Sequence, residues 1–108
     1  MIIILLNYKN MKYHTKIYMA ALGYDETDFM PCEITGRKGV DIHHIVSREN
    51  RIENLMLLTR EKHVELGEIK SKMCYLLETH MDFLETNGVK FDYLWFNEQI
   101  DKYISYAN

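Results

Sequence analysis

Residues 32–46 constrain the fold more than any other part of the chain. Cys32-Glu33-Ile34-Thr35 is followed by Gly36-Arg37-Lys38-Gly39 and then by Val40-Asp41-Ile42-His43-His44-Ile45-Val46. β-Branched residues favour a pleated strand and a four-residue loop with glycine at both ends favours a reversal, so this stretch predicts a β-hairpin. Helical patterns flank it. Residues 10–22 set Met11, Ile17, Tyr18, Met19, Ala21 and Leu22 among Lys9, Lys12 and Lys16, with Gly23 placed as a left-handed stop. Residues 24–31, which hold the single proline, read as a loop. After the polar stretch 47–53 and the short apolar run Asn54-Leu55-Met56-Leu57-Leu58, Thr59 reads as an N-cap with Glu61 in the first turn of a helix. From 60 to 86, Val64, Leu66, Ile69, Met73, Leu76, Leu77, Met81, Phe83 and Leu84 recur at steps of three and four, closed by Asn87-Gly88, and a bend is expected near Gly67. A last helix is predicted over 91–106, rich in aromatic residues. The class is α+β: a two-stranded hairpin plus helix embedded in a mainly helical single domain, 1–108.

With 108 residues, 47% of them hydrophobic, the chain can build one core. Its 13 basic and 16 acidic residues leave a net charge of -3, which excludes a protein that wraps nucleic acid with its whole surface and confines any such contact to a local patch. The apolar opening Met1-Ile2-Ile3-Ile4-Leu5-Leu6 is far shorter than the roughly 20 residues of a membrane span. A soluble, cytoplasmic protein with no membrane contact is expected. Cys32 and Cys74 form no CxxC pair and are expected to be free packing thiols.

The chemistry-bearing residues converge on one segment: Asp41, His43 and His44, then Asn54-Leu55, then His63. A metal-assisted phosphodiesterase needs one ligand on a strand, a second from a facing helix, and an imidazole that points at the phosphorus instead of the ion. Successive strand residues face opposite sides, so His43 and His44 cannot both ligate one ion; one coordinates while its neighbour activates water. His14 and His80, on helices outside this set, are expected to be structural or solvated.

In order and spacing, His43-His44, Asn54-Leu55 and His63 resemble the HNH, or ββα-metal, endonucleases, including small phage-type members. The resemblance covers residues 32–67 as the HNH core and leaves 68–108 as a helical extension. It implies that His43 and His63 are the metal ligands, His44 the general base, and Asn54 the residue that pins the loop between strands and helix. Asp41 stands two residues before His43 on one strand face and is expected to orient that imidazole from outside the coordination sphere. One divalent ion is implied, Mg²⁺ or Mn²⁺ first and Ni²⁺ or Zn²⁺ as alternatives. Where many members hold a structural zinc with two CxxC pairs, this chain has Cys32 with Thr35 and Thr59 with Lys62, so no structural zinc is expected. Where colicin-like members place another histidine one turn after His63, this chain has Gly67. Two protein ligands then leave most of the coordination sphere to water and substrate phosphate.

Charge follows the same division. Residues 1–62 hold 9 basic against 8 acidic side chains, and 63–108 hold 4 against 8. Arg37, Lys38, Arg48, Arg51, Arg60 and Lys62 are therefore the expected phosphate-binding residues, and DNA the expected partner. The class of activity read here is hydrolysis of DNA phosphodiester bonds, by nicking or double-strand cleavage. A non-catalytic DNA-binding accessory protein that keeps the ββα scaffold is the alternative, and RNA is a third possible substrate. The apolar bulk of 68–108 exceeds what one short ββα unit covers, which favours a homodimer or partner interface through the C-terminal helices.

Overall fold

The structure, a computed structural model, describes residues 11–107. The apolar opening 1–6 and Lys9 lie outside them. The chain is α+β: among the described residues a two-stranded antiparallel sheet, β1 (Asp41–His44) and β2 (Leu55–Leu58), has four helices around it, α1 (Tyr13–Leu22), α2 (Arg60–Leu66), α3 (Met73–Thr86) and α4 (Tyr93–Tyr103). None of the described helices is long and apolar enough to cross a membrane.

α1 ends at Gly23, whose φ of 75° lets Gly23 and Tyr24 donate their N–H groups back to Ala20 and Met19. α2 starts where the sequence places it, with Thr59 Oγ1 accepting from the Lys62 N–H. The expected bend near Gly67 is a full break: α2 stops at Leu66, a short 3₁₀ turn covers Lys70–Lys72, and α3 begins at Met73.

The hairpin differs from expectation. Val40 to Val46 does not pair with Cys32 to Thr35; β1 pairs with β2 in the register Asp41↔Leu58, Ile42↔Leu57, His43↔Met56, His44↔Leu55. Residues 32–37 instead close a tight turn, in which Cys32 donates to the Arg37 carbonyl and Gly36 to the Cys32 carbonyl, leaving only an isolated bridge between Pro31 and Lys38. The reason lies in β2. All of its residues are buried, because Met56 and Leu58 enter the core built by α3 and α4 while Leu55 and Leu57 pack against Tyr18 of α1. A strand covered on both faces shows no alternation and reads as a bare apolar run. Leu76, Leu77 and Leu84 of α3 and Phe96 of α4 are fully enclosed on the first face, each contributing about 1.5–3 kcal/mol. Of the apolar residues of 68–108, Met73, Met81, Phe83, Phe91 and Ile100 are half-buried, while Ile69, Tyr75, Tyr93, Leu94, Ile104 and Tyr106 are exposed.

A polar network runs through this core. The Glu33 side chain is fully enclosed, and its carboxylate accepts from the Tyr18 hydroxyl at 2.7 Å, from the Leu57 N–H at 3.2 Å and from His80 Nδ1 at 2.7 Å. His80 Nε2 donates to the Ile52 carbonyl at 2.6 Å. Both ring nitrogens are thus engaged, and His80 ties the Glu33 side chain to the Ile52 carbonyl across the core. His80 is structural, as expected. Burial first, and then the Glu33 carboxylate, push the Tyr18 phenol pKa far up, so it stays a donor.

Breaking this network from one side leaves buried polar groups without partners. His80→Leu, which orphans both the Glu33 side chain and the Ile52 carbonyl, is expected to destabilise the fold by about 1–3 kcal/mol in urea denaturation. Glu33→Gln is expected to cost about 1 kcal/mol or less, since an amide can pair with His80 Nδ1 and still accept from Tyr18 and Leu57. Equal losses in the two variants would show that the hydrogen bonds of His80 do not carry the difference.

Candidate active site

β1 sorts the segment's residues onto two faces. Residues directly opposite in the register share a face, so Asp41 and His43 lie with Leu58 and Met56, and Ile42 and His44 lie with Leu57 and Leu55. α2 covers the first face. Arg60 and His63 are one turn apart on it and both reach Asp41: Arg60 makes a two-pronged bond, Nε to Oδ2 at 2.7 Å and Nη2 to Oδ1 at 2.9 Å, and His63 Nδ1 donates to Oδ2 at 3.0 Å. The Arg60 bonds, then that of His63, hold the Asp41 carboxyl at about 2. Asp41 therefore orients His63 and not His43 as expected, because the α2 side chains reach across to the start of the strand. With Nδ1 committed to the carboxylate, His63 keeps its lone pair on Nε2.

The His43 and His63 rings lie 4.8 Å apart, centroid to centroid. His43 is 4% exposed and its Nε2 has no hydrogen-bond partner. Burial, followed by the neighbouring His63 and His44, brings its pKa down to about 4, so the ring is neutral at physiological pH. Gly67 makes the approach possible: a Cβ there would stand 2.6 Å from the His63 carbonyl oxygen, 2.9 Å from His63 Cδ2 and 3.2 Å from His43 Cε1. An orphaned buried nitrogen, a second ring whose tautomer is set from behind, and a cradle that a methyl group would fill are what a divalent ion would need here. Among the described residues no three His, Cys, Asp or Glu side chains converge on one point, so such an ion would have two protein ligands, His43 and His63.

His44, on the other face, donates from Nε2 to Asn50 Oδ1 at 2.8 Å, which leaves Nδ1 with the lone pair. Asn50 sits in the loop 45–54, and Asn54 holds that loop: its Oδ1 accepts from the Val46 N–H and its Nδ2 donates to the Ser47 and Glu49 carbonyls, all at 2.9 Å. Asn54 is fully buried, so these bonds are protected from water. His14 of α1 meets the His44 ring edge-on, centroids 5.1 Å apart at 73°. Burial first, then His44 and Lys12, holds His14 below its ordinary pKa. Sequence reasoning missed both Asn50 and His14. Neither carries a spacing signal, since one is defined by a loop fold and the other by a helix docking across the sheet.

A cleft of about 440 Å³ opens between β1 and the end of α2, lined by His43, His44, His63, Gly67 and Arg48. A second, of about 680 Å³, runs between α1 and α2 past Lys12, His14, Asp41, Arg60 and His63. The six cations separate accordingly. Arg48 borders the histidines, and Arg60 borders the second cleft with its guanidinium on Asp41. Arg51 is committed elsewhere: it pairs with Glu49, Glu53 and Asp92 and lies 5.2 Å over the Trp95 ring, docking the loop onto α4. Arg37 and Lys62 line a distant recess with Thr35 and Thr59, Lys62 bonded to Glu65, and Lys38 is exposed with no ion pair among the described residues. That recess is where the two cysteine pairs of a structural zinc would meet. One thiol, two hydroxyls and an ammonium do not form a zinc donor set. Although burial pushes the Cys32 thiol up, the Thr35 hydroxyl and the N–H groups of Thr35, Ile34 and Thr59 outweigh it and bring it below its ordinary value. Both cysteines are free and buried.

No family model, no curated protein and no solved structure matches this chain.

Two outcomes follow from this geometry. Gly67→Ala is expected to part the His43 and His63 rings and weaken Mn²⁺ binding about 10-fold or more by titration calorimetry; unchanged affinity would separate the glycine from the site. In the metal-free protein, the depressed Asp41 carboxyl adds stability that is complete above its ordinary pKa of 3.8 and is lost as pH falls towards about 2. The stability gap between wild type and Asp41→Asn should therefore be constant from pH 5 to 7 and close between about pH 4 and 2 in urea melts; a gap that persists at pH 2 would place the effect elsewhere.

Proposed function

We propose that this chain is a metal-dependent endonuclease of the HNH type that hydrolyses phosphodiester bonds in DNA, with the ββα unit from residue 32 to 67 as its active centre. The observation that carries the reading is the His43–His63 pair around an unpartnered buried nitrogen, opening into the same cleft as His44. A divalent ion held by these two rings, Mg²⁺ or Mn²⁺ and alternatively Ni²⁺ or Zn²⁺, would supply charge stabilisation at the scissile phosphate and the departing oxygen. The remaining work belongs to the protein. His44, its Nε2–H bonded to Asn50, receives the proton of the attacking water on Nδ1. Asn54 keeps the loop, and with it Asn50, in place. Arg48 holds the phosphate beside the histidines, and Arg60 stiffens Asp41 behind His63.

One observation favours the non-catalytic DNA-binding reading: only two donors, and not three, are available to an ion among the described residues. Nicking of supercoiled plasmid decides between them. Wild type with Mg²⁺ or Mn²⁺ is expected to nick; His44→Ala is expected to lose about 10²- to 10⁴-fold in rate while its Mn²⁺ affinity stays near wild type. His43→Ala is expected to lose both. Equal metal loss in the two variants would overturn the assignment of base and ligand, and a wild type inert with every ion would leave the accessory reading.

A further inference from the structure

His14 lies outside the segment that carries the chemistry, yet α1 brings it to the one imidazole that the nuclease reading uses as a base. The placement is built. Ile42 and His44 project from β1 towards the face that α1 covers, and α1 is anchored there by Tyr18, whose hydroxyl bonds the enclosed Glu33 carboxylate. His14 and Tyr18 are four residues apart and share one stripe of the helix. Fixing Tyr18 in the core therefore fixes His14 over His44. The His44 ring is held from two sides: Asn50 Oδ1 accepts the hydrogen bond from its Nε2–H, and the His14 ring stands against it at 73° with 5.1 Å between centroids. His14 also borders the groove between α1 and α2, together with His63 and Arg60.

We propose that His14 is a positioning residue of this site, whose ring holds the His44 imidazole in the orientation that keeps its Nε2–H on Asn50 and leaves Nδ1 as the free base. The kinetic consequence rests on the endonuclease reading; the clamp itself does not. α1 thereby belongs to the active centre as one of its walls, and the ring matters for its shape and not for a proton of its own.

The test uses the full chain with ¹⁵N-labelled histidine, as wild type, His14→Ala and His14→Phe. Long-range ¹H–¹⁵N spectra of the metal-free proteins read the His44 tautomer, and plasmid nicking with Mn²⁺ reads kcat and KM. In wild type, His44 is expected as the single Nε2–H form. His14→Ala is expected to show mixed tautomers and a kcat lower by roughly 10- to 100-fold, with KM within about twofold of wild type. His14→Phe, which restores a ring without nitrogens, is expected to recover the single tautomer and most of kcat. An unchanged His44 tautomer in His14→Ala overturns the proposal, and so does a His14→Phe variant as slow as His14→Ala, which would make the His14 nitrogen the working atom. A wild type that fails to nick with any ion, while His14→Ala still mixes the His44 tautomers, removes the endonuclease reading and leaves the clamp standing.

Discussion

The carboxylate of Glu33 is the point on which the rest of the molecule turns. It is enclosed in the core, and it accepts from Tyr18 of α1, Leu57 of β2 and His80 of α3 at once. No two of these segments are neighbours in sequence, so one side chain fixes the relation of α1, the sheet and α3. A buried polar network contributes little net stability, because taking its groups out of water costs about what their hydrogen bonds return. What the network supplies is exclusivity. Any slip of α1 along the sheet, or of α3 beneath it, strands a donor or an acceptor without water, whereas a purely apolar contact would tolerate the slip. Such intolerance holds in register a cluster whose side chains come from α1, β1, the loop 45–54 and α2.

The same two-sided burial of β2 that hides its strand character also divides the site. Leu55 and Leu57 turn towards α1, Met56 and Leu58 towards the α3–α4 core, and their partners in β1 inherit those directions. His43 is thus enclosed beside α2, neutral and without a partner, while His44 lies under α1 with its Nε2 already bonded. Two adjacent histidines acquire different chemistry from nothing more than strand alternation and the elements that cover each face. Each also has support at one remove: Asp41 behind His63, and Asn54 behind Asn50 behind His44.

Much of this was legible in the sequence, and the exceptions have one cause. α1 with its Gly23 stop, the Thr59 cap and the helices after it follow from local rules of capping and periodicity. The bonding of Asn54 and the meeting of His43 with His63 were expected from the resemblance to the ββα-metal endonucleases. The strand pairing did not follow, because the Gly36–Gly39 turn advertises a short-range hairpin, while the true partner is a run whose alternation is erased by cover on both faces. The Glu33–His80 pair joins residues 47 apart, and His14 reaches His44 across a sheet face that no local pattern assigns to α1. Arg51 illustrates the same limit: beside the motif it reads as a phosphate clamp, yet Asp92 and Trp95 from α4 claim it. Local signals located the histidine cluster; long-range contacts decided which neighbours surround it.

Gly67 shows what the fold permits at this centre. It closes α2 one turn after His63, and the space for a Cβ is taken by His63 and His43 themselves. The close packing that brings the two ring centroids to 4.8 Å thus leaves no room for a side chain at position 67. On the proposed reading, an ion at two imidazoles keeps open positions that substrate phosphate can fill, and Arg48 at the rim favours that arrival. Ion and nucleic acid then bind with reciprocal coupling: each raises the affinity for the other by the same factor, because the phosphate oxygens that complete the coordination sphere belong to the substrate.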